Sequence, residues 1–540
     1  MTTTPIAADV AIVGAGPVGL TLANLLGVYG VRTVVLERKP MTVDEPRAIA
    51  IDAESLRTMQ SIGLYEAIAP DLLLGFAVDY VNGRGTPMLH LELGPTPYGH
   101  AQQNAFHQPQ LEHVLASGLA RFAHVDLRFG HTVEGFDANP DGVTLRGVGA
   151  DGAPFSVAAQ YLIGCDGGRS PVRLGLGIEM RGRTEPQRWL VIDTVDPHLA
   201  AAMPCRFFCD PRRPGMTLRK QHQRRRWEWM LMPGESEADL LEARMIDRLI
   251  GPYTPPEQVQ MERKCVYTFH SLVADRYRVG RVLIAGDAAH MMPPFAGQGM
   301  NGGIRDAVNL AWKLAMVVRE QAAPALLDSY QDERRPHVMA ATALANRLGD
   351  MIQPTSRWRA ALRDAFFFCL NRSRRGQAAL LRQLMGSLRT PRLRAGVYLA
   401  GPAPAGAARA LSGQMIVQPR VRRADGAVAP LDDVLGPGFA VIGYGTDPRT
   451  ALDASAREAF ANLGARLVWV TPPGAPPSGD AVEDTSGGLG EWFGQAPERF
   501  VLVRPDRFCA AQFTPATAAD TARAFVALLH GAAVPARAAA

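Results

Sequence analysis

A glycine-rich turn near the start of the chain constrains its fold more than any other feature. Gly14, Gly16 and Gly19 follow the apolar run 10–13 and precede the apolar stretch 20–26. An apolar strand that leads through G-x-G-x-x-G into a helix is typical of the first β-α-β unit of a dinucleotide-binding domain, where the helix N-terminus faces a pyrophosphate. The sequence therefore predicts a doubly wound α/β domain at this end of the chain.

An acidic residue ends the next predicted strand. The apolar run 33–36 leads to Glu37, which is followed by Arg38. A carboxylate at this position accepts hydrogen bonds from an adenosine ribose and repels a 2′-phosphate. We therefore predict a Rossmann-like site whose cofactor-binding residues include Gly14, Gly16, Gly19, Glu37 and Arg38. Because NAD and FAD both carry this ribose, the motif alone leaves the two cofactors open.

A second glycine-rich segment, much later in the chain, separates these cofactors. Residues 281–285 form a predicted strand that ends at Gly286 and Asp287, and residues 293–301 lead into a predicted helix. A carboxylate at a strand end can hold a ribityl hydroxyl, and a helix N-terminus carries about half a positive charge, which suits the negative edge of a reduced isoalloxazine. A simple NAD dehydrogenase needs no such second site, so the two segments together favour FAD. The predicted cofactor-binding residues here are Gly286, Asp287, Pro294, Gly297, Gly299, Met300 and Asn301.

Three motifs in this order carry a family resemblance. They are GAGPVGL at 14–20, CDGGRSPVR at 165–173 and GDAAHMMPPFAGQGMNGGIRDAVNLAWKL at 286–314. With them the chain resembles, over residues 1–345, the class A flavoprotein aromatic hydroxylases, the family that includes p-hydroxybenzoate hydroxylase and phenol hydroxylase. The resemblance implies bound FAD, NADH or NADPH as co-substrate, and transfer of oxygen from O2 to a small phenolic substrate through a flavin C4a-hydroperoxide. The sequence has no second G-x-G-x-x-G with its own strand and helix, so NADH and NADPH are not distinguished.

The segments 46–52 and 56–64 narrow the resemblance to one branch of the family. They are similar to the branch that hydroxylates phenolic acids such as 3-(3-hydroxyphenyl)propionate and 3-hydroxycinnamate to 2,3-dihydroxy products in aromatic catabolism. Two alternatives stay open. One is a hydroxylase of a larger polycyclic or polyketide phenol, and the other is a non-hydroxylating FAD reductase or FAD-binding protein.

The same resemblance assigns roles to individual residues. It places Asp52 and Tyr267 beside the phenol hydroxyl as catalytic residues; the alternatives are a helix cap for Asp52 and an ordinary strand aromatic for Tyr267. It places Arg47 near the cofactor phosphates and Gln108 at the ribityl chain. Asp166 belongs to a motif that contacts flavin and nicotinamide in the family, and its alternative role is a turn at a strand end.

Composition agrees with a cytoplasmic enzyme. The chain has 540 residues, of which 47% are hydrophobic and 20% charged, so it can bury the cores of several domains. No apolar stretch reaches the roughly 18 residues of a spanning helix, which predicts no membrane partner. A net charge of +5 is small for this length and predicts no nucleic-acid partner. Six cysteines without a C-x-x-C pair predict neither a disulfide framework nor a metal site, and Cys205 and Cys209 are expected to serve packing.

One basic concentration lies in the middle of the chain. Arg219 and Lys220 precede three consecutive arginines at 224–226, and an alternating apolar stretch follows. This pattern is typical of a solvated hairpin tip on an antiparallel sheet. The alternative is a tip that attracts nicotinamide phosphates or an anionic substrate.

The order of these segments predicts the architecture. Residues 1–180 and 274–345 are the two parts of the FAD-binding domain, and residues 181–273 are an inserted β-rich substrate domain that covers the flavin. Residues 346–400 are a helical segment and linker. Residues 401–540 are compatible with the thioredoxin-like tail of the phenol hydroxylase branch. Because this tail lacks a C-x-x-C pair, we expect it to have no redox activity and to serve packing or contact in a homodimer.

Overall fold

The computed structural model describes residues 5–92, 94, 97–196, 205–380, 392–400, 410–494 and 499–531. Residues 381–391 of the predicted helical segment and linker, and residues 401–409 of the predicted C-terminal tail, lie outside these residues. Within them, strands form three large sheets and one small one.

The N-terminal part alternates strands with helices, as the glycine motif predicts. Its elements are β1 (Ile6–Val13), α1 (Pro17–Val28), β2 (Thr33–Glu37), β3 (Ala50–Asp52), α2 (Ala53–Ser61), α3 (Tyr65–Ile68), β4 (Leu73–Leu74), β5 (Val78–Asn82), β6 (Pro87–Leu91), β7 (Gln103–Ala105), α4 (Gln108–Gly118), β8 (Val125–Phe129), β9 (Thr132–Ala138), β10 (Val143–Val148), β11 (Pro154–Gly164) and α5 (Pro171–Gly175).

A region of long antiparallel strands follows and gives way to long helices. Its elements are β12 (Met180–Val195), β13 (Cys205–Cys209), β14 (Gly215–Arg219), β15 (Arg224–Met230), α6 (Glu237–Leu241), α7 (Ala243–Ile250), β16 (Gln260–Ala274), β17 (Arg278–Val279), β18 (Val282–Ile284), β19 (His290–Met291), α8 (Gly299–Val318), α9 (Ser329–Ile352) and α10 (Arg357–Leu370).

The first sheet gathers the strands that precede the predicted cofactor motifs. Its parallel strands run in the order β18-β11-β1-β2-β8. The carboxyl ends of β1, β2 and β11 therefore lie side by side, at Val13, Glu37 and Gly164. Strand order reverses at β1, and doubly wound sheets bind their ligands at such a point. The predicted Rossmann-like architecture of the FAD-binding domain is confirmed.

Two glycines permit the tight turn between β1 and α1. Gly14 has a φ of +105°, a conformation that L side chains rarely adopt. A Cβ on Gly19 would lie 2.0 Å from the carbonyl oxygen of Gly14. Helix α1 therefore approaches the turn so closely that only glycine fits at position 19.

The second sheet, called the roof sheet below, faces the first across a cavity. Its strands run in the order β19-β16-β12-β15-β14-β13-β5-β6. Strand β13 pairs in parallel with β5, so two strands from within residues 1–180 extend this sheet. The roof is therefore not built from residues 181–273 alone.

Three basic side chains of the hairpin formed by β14 and β15 are buried. The exposed fractions of Lys220, Arg225 and Arg226 are 1%, 1% and 2%. Asp193, on the neighbouring strand β12, accepts hydrogen bonds from Lys220 Nζ at 3.0 Å and from Arg226 Nη2 at 2.7 Å. The tip at His222 and Gln223 is exposed, as the solvated-tip expectation states, but Lys220 and Arg226 beside it are buried, and the carboxylate of Asp193 compensates their charge.

The C-terminal part forms a separate sheet covered by helices. Its elements are β20 (Arg420–Arg423), β21 (Val428–Pro430), α11 (Leu431–Leu435), β22 (Ala440–Tyr444), α12 (Pro448–Ala451), α13 (Ala454–Asn462), β23 (Arg466–Thr471), β24 (Val482–Asp484), α14 (Gly488–Phe493), β25 (Phe500–Val503), β26 (Cys509–Phe513) and α15 (Ala518–Leu529). At its centre β22 pairs in parallel with β23 and antiparallel with β25, which pairs antiparallel with β26. This order, with a helix between the parallel strands and one after the last strand, is the thioredoxin-like arrangement that the sequence predicts.

Buried ion pairs join this C-terminal domain to the FAD-binding domain. Arg504 donates to both carboxylate oxygens of Glu333 on α9, at 2.7 Å each. Arg57 on α2 donates to both oxygens of Asp432, also at 2.7 Å. All four side chains are buried. The domain is therefore held against α2 and α9 by charges that water does not reach.

Candidate active site

A cavity of ≈ 550 Å³ lies between the carboxyl edge of the first sheet and the roof sheet. Residues from all three distant sequence motifs line it. The predicted site residues among them are Gly14, Gly16, Glu37, Arg38, Arg47, Gln108, Asp166, Asp287, Pro294, Gly297, Gly299 and Met300. The fold therefore brings most of the predicted cofactor residues to one place.

The glycine turn forms one end of the cavity. A Cβ on Gly16 would meet no protein atom within 4 Å, so this position opens toward the cavity. Glu37 Oε2 accepts a hydrogen bond from the Ala15 N–H at 2.9 Å, and its Oε1 accepts from the Lys39 N–H at 2.9 Å. Each carboxylate oxygen keeps a further lone pair. This end can hold a pyrophosphate on backbone N–H groups and a ribose on Glu37.

Two acidic residues and a helix N-terminus lie elsewhere along the cavity wall. Asp166 Oδ2 accepts from the Val172 N–H at 3.0 Å, whereas its buried Oδ1 has no hydrogen-bond partner within the described residues. Asp287 also lines the cavity, as does Gly299 at the start of α8. A buried carboxylate oxygen without a donor calls for a ligand group that supplies one. Ribityl hydroxyls would meet this need, and the positive helix end suits the flavin ring, so the residues present fit FAD.

The backbone of residues 46–48 is held from two sides. Gln108 Oε1 accepts hydrogen bonds from the N–H groups of Arg47, at 3.0 Å, and Ala48, at 2.6 Å. Arg226 donates to the carbonyl oxygens of Pro46 and, at 2.7 Å, Arg47. Gln108 thus orders a segment of the cavity wall. The contact of Gln108 with the ribityl chain and the contact of Arg47 with the cofactor phosphates stay predictions.

Four roof side chains also line the cavity, and among them only Arg226 belongs to a sequence feature, the basic cluster at 224–226, for which a functional alternative was open. They are Phe207, Met216, Arg226 and Glu228. The register of the roof sheet sets Met216 opposite both Phe207 and Glu228. The alternation of β15 signals that Arg226 and Glu228 share one face. The alternation alone does not reveal that this face of β15 is turned toward the cavity.

Asp52, a predicted catalytic residue, lies behind the cavity wall. Its Oδ1 caps α2 by accepting from the Ser55 N–H at 3.0 Å, and its Oδ2 accepts from Arg305. The side chain is buried and is not among the described residues that line the cavity. This geometry agrees with the cap alternative, and contact with a substrate stays a prediction.

Tyr267, the other predicted catalytic residue, lies on β16. Its hydroxyl accepts a hydrogen bond from Arg263, whose guanidinium carbon lies 5.2 Å from the centre of the tyrosine ring. Burial raises the pKa of Tyr267. Like Asp52, it is absent from the described lining of the cavity, so the structure brings neither residue there directly.

Three predicted cofactor residues support the cavity wall from behind. Gly19 lets α1 approach the turn, and the Gly286 N–H donates to Asp306 at 3.1 Å. Asn301 donates to the carbonyl oxygens of Ala50, at 3.1 Å, and Gly297, at 2.7 Å. These residues shape the wall and are not among its described lining residues.

The described residues contain no metal site and no membrane-spanning helix. No group of histidine, cysteine, aspartate and glutamate side chains there is arranged to hold a metal ion. Cys205 and Cys209 are buried free thiols in the roof sheet. No helix within the described ranges is long and apolar enough to cross a membrane.

Comparison with protein families agrees with this geometry. Residues 7–345 match the FAD binding domain, and residues 413–528 match the HcaD C-terminal domain. The chain therefore belongs to the FAD-binding-domain family. The predicted class, an FAD-dependent aromatic hydroxylase, is confirmed, with FAD as cofactor and reduced nicotinamide, O2 and a small organic molecule as co-substrates.

Individual relatives share nearly the whole chain. One is the 3-(3-hydroxy-phenyl)propionate/3-hydroxycinnamic acid hydroxylase of Paraburkholderia xenovorans (strain LB400), 40% identical over 570 residues that cover 95% of this chain and 90% of the relative. The enzyme of the same name from Escherichia coli O139:H28 is 39% identical and covers 95% of this chain and 93% of the relative.

Solved structures share the complete architecture. The flavin-dependent monooxygenase PieE, in complex with FAD and substrate, superimposes with a TM-score of 0.80 at 23% identity, covering 97% of this chain and 100% of that chain. The anhydrotetracycline hydroxylase OxyS from Streptomyces rimosus superimposes with a TM-score of 0.76 at 27% identity, covering 96% of this chain and 98% of that chain.

Proposed function

We propose that this chain hydroxylates 3-(3-hydroxyphenyl)propionate, and also 3-hydroxycinnamate, to the 2,3-dihydroxy products with FAD, NADH or NADPH, and O2, as a step of aromatic catabolism. The observation that carries the proposal is the 40% identity, over 95% of the chain, to the Paraburkholderia hydroxylase named for these two acids. A relationship of this extent includes both the FAD-binding part and the roof.

The residues that line the cavity support separate roles for its two ends and for the roof. The glycine turn and Glu37 would hold the adenosine and pyrophosphate end of FAD, while Asp166, Asp287 and the start of α8 would hold the flavin end. Once NADH or NADPH has reduced the bound FAD, the FAD supplies the activation of O2. Phe207 and Met216 would keep water away from the substrate ring, because their apolar side chains line the opposite wall.

The substrate's acid end needs its own partner. A carboxylate taken out of water costs several kcal/mol unless it is paired. In the roof, Arg226 already binds Asp193 and two backbone carbonyls. We therefore propose that the acid end stays near the mouth of the cavity, where basic side chains or backbone N–H groups hold it.

Steady-state kinetics on a panel of phenols tests the proposed substrate. In this class the correct aromatic compound stimulates flavin reduction, so NADH or NADPH oxidation is measured with and without each phenol, and the product is identified by mass spectrometry. We expect the strongest stimulation and a 2,3-dihydroxy product with 3-(3-hydroxyphenyl)propionate. Its neutral amide should raise KM more than it lowers kcat, since the carboxylate contributes uniform binding.

A polycyclic phenol is the second candidate. It is favoured by the superposition of OxyS, which is named for anhydrotetracycline and covers 96% of this chain. A tetracyclic phenol in the same panel decides between the two. Preference for that compound, or equal KM values for the acid and its amide, would contradict the phenylpropionate proposal.

Finer features are also proposed. The order of the motifs supports the domain bounds 1–180, 181–273, 274–345, 346–400 and 401–540. Partial proteolysis tests these bounds.

We place the enzyme in the cytoplasm, where reduced nicotinamide is available, and cell fractionation tests this location. We also propose a homodimer, because a C-terminal domain without a C-x-x-C pair has no redox role and can instead serve contact between two copies of the chain. Analytical ultracentrifugation of the holoenzyme tests this.

A further inference from the structure

Glu228 stands in the middle of the roof with its carboxylate turned toward the cavity. It lies on β15, opposite Val191 of β12 and Met216 of β14. The residue is 7% exposed and lines the cavity together with Phe207 and Met216. A carboxyl group is therefore placed beside two apolar side chains of the cavity wall, where a ring substrate would lie against it.

The carboxylate of Glu228 has no hydrogen-bonding partner among the described residues. Arg226 Nη1 lies 3.8 Å from Glu228 Oε1, which is within ion-pair distance but beyond hydrogen-bond distance. Arg226 instead donates to both oxygens of Asp193 and to the carbonyl oxygens of Pro46 and Arg47. Glu228 thus has acceptor capacity left over, which a buried polar group normally uses.

Electrostatics around Glu228 favour proton uptake. Burial raises the pKa of the Glu228 carboxyl, and the nearby Asp193 raises it further, while Arg226 lowers it. A general base is most effective when its pKa approaches that of the group it deprotonates. An ordinary phenol has a pKa near 10, so a raised carboxyl pKa reduces the mismatch.

We propose that Glu228 accepts the proton of the substrate's phenolic hydroxyl. The phenol O–H bond breaks, a new O–H bond forms on a Glu228 carboxylate oxygen, and the electron pair stays on the ring oxygen. The resulting phenolate is the better nucleophile at its ortho and para carbons, where oxygen is transferred. This assignment rests on the proposed function and makes Glu228, which no sequence motif marks, a catalytic residue.

The two residues predicted for this role are engaged elsewhere. Both oxygens of Asp52 accept hydrogen bonds, from the Ser55 N–H and from Arg305, and the hydroxyl of Tyr267 accepts from Arg263. Glu228 alone of the three lines the described part of the cavity.

The test compares Glu228→Gln and Glu228→Asp with the wild-type holoenzyme. The matched control is Glu262→Gln, which makes the same chemical change in the roof at a residue that pairs with Arg224 outside the described lining of the cavity. FAD content, phenol-stimulated NADH oxidation and the ratio of product formed to NADH consumed are measured. A second substrate carries ring fluorines that make its hydroxyl more acidic.

With Glu228→Gln we expect FAD content and stimulated NADH oxidation to persist. The ratio of product to NADH should fall at least about tenfold, with hydrogen peroxide in its place, since a general base contributes that much or more. The ratio should recover toward the wild-type value on the fluorinated phenol, because that substrate needs less help to ionise. Glu228→Asp should be intermediate, and Glu262→Gln should match the wild type.

Two results would overturn the role of Glu228. One is an unchanged product ratio in Glu228→Gln, and the other is an equal loss on both phenols, which indicates a structural effect. If Glu228→Gln loses FAD, the same comparison on Glu228→Asp decides, with fluorination again expected to restore coupling. Failure of the proposed function is distinguishable, because it would show in the wild type as an absence of phenol-stimulated NADH oxidation, and it would overturn both proposals.

Discussion

Glu37 accepts hydrogen bonds from the N–H of Ala15 in the glycine turn and from the N–H of Lys39, at 2.9 Å each. Replacing it with alanine removes these bonds together with the proposed ribose contact. A charge-assisted hydrogen bond contributes roughly 1.5–3 kcal/mol, so we expect Glu37→Ala to raise the Kd for FAD tenfold or more. Fluorescence titration of the apoprotein measures this, with Glu37→Gln as a control that keeps one acceptor oxygen. An unchanged Kd in Glu37→Ala would remove Glu37 from the site.

Asp52 can be tested for its two predicted roles with one substitution. Asparagine is a good helix cap, so Asp52→Asn keeps the cap of α2 and loses the charge opposite Arg305. Arg305 retains Glu54 at 2.8 Å, so we expect a moderate loss of about 1.5–3 kcal/mol in the free energy of unfolding. Urea unfolding measures it. A lower product ratio at unchanged stability would instead show that Asp52 contacts the substrate.

At the scale of elements, three of the parallel strands and their glycine turns were predictable. The apolar runs of β1, β2 and β18 predict strands that lead to cofactor motifs, whereas no apolar run marks the parallel strand β8, in which polar and apolar residues alternate. The roof was less predictable because its pairings are long-range. Strand β5 joins β13, and Arg226 is buried only because Asp193 lies on a neighbouring strand. The sequence of a single strand does not show which other strands pair with it or which of its faces lines a cavity. For this reason no sequence pattern marks Glu228 as a residue of the cavity wall.

The turn between β1 and α1 offers a matched pair of substitutions. A Cβ on Gly19 would lie 2.0 Å from the Gly14 carbonyl oxygen and 3.3 Å from the Cys165 Cβ. We therefore expect Gly19→Ala to lower the free energy of unfolding by about 1–3 kcal/mol, as overpacking does. A Cβ on Gly16 would meet no protein atom within 4 Å, so Gly16→Ala should keep wild-type stability and weaken FAD binding. Urea unfolding of the apoproteins and FAD titration compare the two, and equal stability would contradict this account of the turn.

At the scale of the whole molecule, we expect the C-terminal domain to act through packing and not through redox chemistry. Its only cysteine is Cys509, which is buried, and burial raises the pKa of that thiol to about 12. A reactive thiol needs the opposite shift. Its contacts with the FAD-binding domain include the ring contact of Trp312 with Phe439 and two buried charge clusters, one around Glu333 and Arg504 and one around Arg57 and Asp432. The second holds the pKa of Asp432 down to about 2.

These clusters make the attachment of the domain sensitive to mutation. Arg504→Met leaves Asp506 buried without its guanidinium partner and leaves Glu333 with Lys313 as its remaining cation, and breaking such a buried network costs about 3–5 kcal/mol. We expect the variant to unfold at lower urea concentration and to be cut faster by proteases between the domains. The control is Arg523→Met in the same domain, because its ion pair with Asp520 is exposed and contributes about 0–1 kcal/mol. Equal stability of the two variants would contradict a structural role for the buried cluster.

Acid should loosen the same interface in the wild type. The pKa of Asp432 is depressed from 3.8 to about 2 because Arg507 and Arg57 stabilise its charged form. A carboxyl whose pKa is lower in the folded state contributes stability that is complete above the unfolded pKa and is lost as pH falls through the folded one. The contribution of Asp432 should therefore be intact above pH 3.8 and decline toward pH 2. We expect the free energy of unfolding to decline less steeply with falling pH for Asp432→Asn than for the wild type, because asparagine has no charge to lose. Urea unfolding at several pH values in this window measures it. Parallel curves for the two proteins would show that Asp432 is not a source of the acid sensitivity.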